Sequence, residues 1–301
     1  MNLNPQNHPS YSIHPRTQPG HVSLTVANLG QQIAFYQQAL GFQLHWREAG
    51  QAGLGAGGAD ILKLVEEPAS RRYRGVTGLY HFAVVYPTRR DLARAVARLF
   101  VLKLRNHPTD HIGTKTTYLN DPEGNGIELY AESPEDGYFG VEDGQMMARR
   151  ADGSWSDGRE ALDLQALFAL LEPDEQLDGF VPPATRLGHV HLHVRNLQEA
   201  VDFYHGLIGF DVMGLSPVHQ AAFVSAGGYH HHLGLNTWQG AGAPPAPAGA
   251  LGLRHFSINL PDEDTLNVIR ARLAAAGVQL QPTPAGLLVR DPSDNGVLLV
   301  L

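Results

Sequence analysis

The feature that most narrows the fold is self-similarity within the one chain. GHVSLTVANL at 20–29 recurs as GHVHLHVRNL at 188–197, which sets position 189 against position 21, an offset of 168. IAFYQQALGF (33–42) recurs as VDFYHGLIGF (201–210), GLYHFAVVYP (78–87) as GLRHFSINLP (252–261), and LNDPEGNGIELY (119–130) as VRDPSDNGVLLV (289–300). A nearly constant spacing over so many segments marks an internal duplication. Each half repeats again: a β-branched strand opening with His, a helix, then extended segments. Four βαβββ modules are therefore expected at 20–66, 78–132, 188–238 and 251–301, an α+β chain.

The helices fit this reading. TRRDLARAVARLF (88–100) puts Leu92, Val96 and Leu99 on one stripe behind a Thr88 cap, and DEDTLNVIRARLAAAG does the same with Leu266, Ile269 and Leu273, with Gly277 as its stop. In sequence the modules group as a first domain over 20–132 and a second over 188–301. An N-terminal arm occupies 1–19, and a connecting segment over 133–187 holds a helix candidate at 162–171. The Pro/Ala/Gly stretch 239–250 reads as a surface linker.

At 301 residues and 43% hydrophobic, the chain is long enough for two cores. A net charge of −8 disfavours nucleic acid or an anionic membrane as partner, because both require a basic face. With no cysteine and 16 histidines, any metal must be held by imidazole and carboxylate. Residues 1–19 are polar and proline-dotted, unlike a signal peptide, and no apolar run reaches spanning length, so a cytoplasmic protein with a small-molecule substrate is expected.

Strand periodicity puts His189, His191 and His193 on one side, likewise His230 and His232, and puts Glu128 with Tyr130. A lone strand histidine is more often a satisfied polar residue than a ligand. Its recurrence at the start of the first strand in all four modules (His21, His81, His189, His255) points to function, because Val or Ile would fill those positions more stably.

GHVSLTV with LGF, YHFAVV and DPEGNGIELY resemble the vicinal oxygen chelate superfamily, in its extradiol, catechol 2,3-dioxygenase-like branch; the resemblance covers nearly all of 20–132 and 188–301. It implies modules paired into two cup-shaped, barrel-like sheets. It also implies a divalent metal, iron(II) or in some members manganese(II), held by a His from the first strand of each paired module and a Glu from a last strand. Two imidazoles and one carboxylate leave adjacent coordination positions for a catechol and O2.

By residue type the ligands are His81 and Glu128 of module two. The third is His21 if modules one and two pair, or His189 if two and three pair. The crossed pairing is favoured because it unites His189 and His230 with His81, Glu128, Tyr118 and His111. Modules one and four, with Asp60, Leu288 and Leu298 at the corresponding positions, would then be structural. Tyr118 falls where the family contacts its substrate and His111 where it has a histidine one layer behind the site, and His230, or less favoured His232 two residues on, falls where it has its acid–base group. A three-histidine site from His189, His232 and His255 is a further arrangement.

The implied partners are a small aromatic diol and O2, giving a hydroxymuconic semialdehyde, with no nucleic acid or membrane and with room for a homo-oligomer. The same fold hosts glyoxalase I and metal-free aromatic-ligand-binding proteins. The first needs a second carboxylate where ADILKLV and YHHHLGL offer lysine or histidine; the second would lose the ligand set in every module, whereas module two keeps His81 and Glu128.

Overall fold

A computed structural model describes residues 11–301. Module one contains β1 (Gln18–Val26), α1 (Leu29–Leu40), β2 (Gln43–Glu48), β3 (Gln51–Gly55) and β4 (Asp60–Glu66). Module two contains β5 (Gly78–Val85), α2 (Arg89–Val101), β6 (His107–Asp110), β7 (Thr114–Asn120) and β8 (Gly126–Glu132). The connection adds β9 (Gly137–Glu142), β10 (Gln145–Arg150), β11 (Trp155–Ser156), β12 (Glu160–Ala161) and a short α3 (Leu164–Phe168) within the expected helical stretch.

Module three has β13 (Arg186–His193), α4 (Leu197–Val201) widening into a π-helical stretch over Asp202–Ile208, β14 (Asp211–Ser216), β15 (Ala221–Ser225) and β16 (Leu233–Asn236). Module four has β17 (Gly252–Asn259), α5 (Glu263–Ala275), β18 (Gln281–Thr283), β19 (Gly286–Arg290) and β20 (Gly296–Val300).

Local chemistry sets the helix ends. Thr88 accepts from the Asp91 amide, Asp262 accepts from the Thr265 amide, and Gly277 takes φ +74° just past α5. The predicted stripes Leu92, Val96 and Leu99, and Leu266, Ile269 and Leu273, are buried against the sheets.

Pairing crosses the duplication. One sheet runs β18-β19-β20-β17-β1-β4-β3-β2, joining modules four and one; the other runs β12-β6-β7-β8-β5-β13-β16-β15-β14, joining modules two and three with β12 of the connection at one edge. The sequence halves 20–132 and 188–301 are thus units of duplication, while each sheet takes one module from each half. Both sheets are curled but open-edged. β9, β10 and β11 form a third, three-stranded sheet.

Of the arm expected over 1–19, residues 1–10 lie outside the described residues. Ile13 is buried, with its N–H donating to the Gly209 carbonyl at 2.7 Å, and β1 begins at Gln18. Among the described residues no helix is long and apolar enough to cross a membrane.

Candidate metal centre and its cavity

The sheet of modules two and three places its central residues by register. Ala83 of β5 lies between Glu128 on parallel β8 and His189 on antiparallel β13, and His81 precedes Ala83 by two residues on the same face. The fully buried methyl of Ala83 leaves room for its larger neighbours to converge. Glu128 Oε2 is 3.1 Å from His189 Nε2 and 3.2 Å from His81 Nε2, and the two nitrogens are 3.3 Å apart. All three side chains are buried.

These separations suit a metal. Bonds of about 2.1 Å meeting near right angles put donor atoms about 3 Å apart, and two imidazoles with one carboxylate on one face form the donor set of a facial triad. Burial alone would raise the carboxyl pKa; His189 and His81 outweigh it and hold Glu128 well below the usual carboxylate range. Burial pushes the His189 ring toward its neutral, metal-binding form. Thr116 donates its hydroxyl to the other Glu128 oxygen at 2.9 Å and so orients the carboxylate.

Beside this cluster, Tyr118 pairs with Glu128 across β7 and β8. Its hydroxyl lies 2.8 Å from His111 Nε2, while His111 Nδ1 bonds the Gly158 carbonyl. A carbonyl only accepts, so Nδ1 carries the ring proton and Nε2 accepts from Tyr118. The Tyr118 oxygen keeps lone pairs for a ligand.

On the opposite wall, His230 and His231 come from the loop between β15 and β16. The His231 ring centroid is 4.2 Å from that of His189 and the His230 centroid 6.0 Å. Burial lowers the His230 pKa to about 3, and His230 Nδ1 lies 3.7 Å from Glu132, which accepts from the Tyr229 hydroxyl.

The groups line a cavity of about 750 Å³. From Phe139, ring pairs no more than 6.0 Å apart run through His111, Tyr118 and His81 to Tyr80 and Trp238. They return from Trp238 through His191, Phe223 and His231 to His189. Gly234 makes room for this circuit, because a Cβ there would sit 2.7 Å from the His191 ring.

Comparison with known proteins bears on these features. The Glyoxalase/Bleomycin resistance protein/Dioxygenase superfamily matches residues 18–129 and again 186–297. The chain belongs to this superfamily. A catechol-2,3-dioxygenase of Bacillus subtilis (strain 168) is 38% identical over 284 residues, covering 93% of this chain and 96% of that protein. Two solved structures share the fold: glyoxalase I from Zea mays, with a TM-score of 0.57 at 15% identity over 94% of this chain and 92% of that one, and the cppA protein from Streptococcus pneumoniae TIGR4, with 0.52 at 13% over 96% and 99%. A dioxygenase-like superfamily member that binds a divalent metal accords with the triad His81, Glu128 and His189.

Other expectations are corrected. His21 does not complete the superfamily triad, because β13 and not β1 pairs with β5. It sits in the other sheet, with Nδ1 3.0 Å from Ser257 Oγ and its ring edge-on to His255 at 5.5 Å. With His255 in that sheet, the arrangement of His189, His232 and His255 is not formed.

His232 also turns away from the cavity: Nδ1 is 3.0 Å from Ser225 Oγ and 3.2 Å from the Ala226 amide nitrogen. Residues 226–232 form a loop rather than a strand, so period two fails and the intervening His231 faces inward with His230. Sequence reasoning missed His231 and Ala83. For Ala83 a signal existed, since strand alternation in YHFAV places it on the face of His81.

Proposed function

We propose that this protein is an extradiol ring-cleaving dioxygenase that inserts both atoms of O2 into a catechol-type diol, breaking the ring bond beside the hydroxyls to give a hydroxymuconic semialdehyde. The observation that carries this reading is the buried triad His81, Glu128 and His189, opening into a cavity already furnished with a Tyr118–His111 pair and two further imidazoles.

His81, Glu128 and His189 would hold iron(II), which when bound would supply the redox chemistry that activates O2 toward the diol. Tyr118, whose hydroxyl donates a hydrogen bond to His111, accepts one from the diol and fixes its orientation. An imidazole of the His230–His231 pair would take a proton from the diol as it binds and return it to the ring-opened product. The aromatic circuit gives the diol ring apolar faces to pack against.

The test is anaerobic loading with iron(II), then addition of diol and O2 while following the yellow semialdehyde, with His81→Ala alongside. Colour that is lost in the variant is the expected result. Bound metal with no ring cleavage, but with turnover of a glutathione hemithioacetal, would replace this reading with glyoxalase chemistry.

A further inference from the structure

We propose that the preferred substrate is not catechol but a diol carrying an apolar substituent, an aryl ring or an alkyl chain, that lies against an outer wall supplied by the connecting segment. The inference rests on the diol reading above and names the substrate class of that same site.

Size is the first ground. Cavities of about 300–1,000 Å³ enclose whole drug-sized ligands, and this one measures about 750 Å³. A bare catechol, six ring carbons and two oxygens, would occupy only the end nearest the triad.

The second ground is what the remaining space is made of. Tyr138 and Phe139 of β9 and Met146 of β10 line the cavity opposite the sheet of modules two and three. That wall is docked in place: Ser216 at the end of β14 donates its hydroxyl to the Gly144 carbonyl at 2.7 Å, and Gly214 allows Val141 of β9 to approach, since a Cβ there would lie 2.6 Å from the Val141 side chain. The outer space is thus a built apolar compartment.

The third ground is exposure. Tyr80, Trp238 and Tyr138 are 39%, 44% and 53% exposed, and all three border this one cavity. Large rings left in contact with water along one cavity gain most from a ligand that covers them. The character of the substituent follows from charge. Arg159 is the lysine or arginine lining the cavity among the described residues, and its side chain is exposed to solvent, where pairing with a carboxylate is screened. An anionic substituent would therefore gain little from it.

The experiment compares catechol, 3-phenylcatechol, 4-butylcatechol and a carboxylated catechol with the iron-loaded enzyme. It measures kcat/KM in air and, separately, equilibrium affinity under anaerobic conditions by quenching of tryptophan fluorescence. The phenyl or butyl diol is expected to exceed catechol at least about tenfold in affinity and in kcat/KM. In Phe139→Ala and Trp238→Ala the ratio of substituted diol to catechol should fall severalfold, and Phe139→Leu should restore most of it.

Catechol matching or beating both apolar diols, or the carboxylated diol leading, would overturn the inference while leaving ring cleavage intact. Selective binding of the apolar diols with no cleavage of any of them would uphold the compartment and defeat the reaction assigned to it.

Discussion

The two large sheets have the same wiring and different contents. In one, Ala83 faces Glu128 across β5 and β8, and Tyr118 faces Glu128 across β7 and β8; in the other, Ser257 faces Leu298 across β17 and β20, and Leu288 faces Leu298 across β19 and β20. His81 and His189 of the first correspond to His255 and His21 of the second. The histidines survive in both, but only the first keeps the carboxylate.

Charge completes the contrast. Gly234 stands opposite His191 in the first sheet, and Lys63 stands opposite Ser23 in the second. Burial and Lys63 lower the His21 pKa to about 3. A lysine in place of open space, and a leucine in place of a carboxylate, turn a cation site into a packed core whose His21 bonds Ser257. Duplication supplied two scaffolds, and the donor set is complete in one.

Substitutions that erase the difference should have the largest effects. Glu128→Leu copies Leu298 and is expected to lose bound iron and to reduce turnover by more than the roughly 100-fold upper range for removing an outer partner of a metal ligand; metal analysis and product formation read both. Retained iron would break the comparison. Tyr118→Phe, a milder step toward Leu288, should lower kcat by about 10- to 100-fold with iron content unchanged, as expected for a group that orients substrate.

Ala83→Val probes the gap between Glu128 and His189. Its extra methyls intrude on the converging side chains, and iron affinity should drop about tenfold by competition against a chelator.

The smallest expected effect concerns the second sheet. Burial, followed by Lys63 in each case, lowers His21 to about 3 and His255 to about 4, with His255 also near Arg254 and Arg290. Both folded values lie below the unfolded value of about 6.5, so between pH 6.5 and 4 the unfolded chain binds protons that the fold refuses. Stability is complete above that range and falls with pH, by up to about 1.4 kcal/mol per unit for each group. Urea midpoints from pH 7 to 4.5 should show a shallower slope in His21→Gln; an unchanged slope would remove His21 from the account.

Much of this was legible before any coordinates. The duplication exposed four modules because repeated strands and helices repeat their buried positions. The crossing of modules two and three was legible because each holds what the other lacks: Glu128 and Tyr118 on one side, His189 and His230 on the other. His232 was expected on the face of His230, and His231 was missed, because alternation was applied to a loop, and only a strand carries period two. The outer wall was hidden for another reason. β9 and β10 belong to a connection with no counterpart in the repeat, so nothing in the sequence indicated that Phe139 and Met146 would face the site built by modules two and three.

The most direct test of the central claim, that the metal is held across the duplication, is iron stoichiometry after anaerobic loading of the native chain, His189→Ala and His21→Ala. One iron per chain in the native protein and in His21→Ala, with loss in His189→Ala, is the predicted result. Iron retained in His189→Ala but lost in His21→Ala would contradict it and assign the metal to the other pairing of modules.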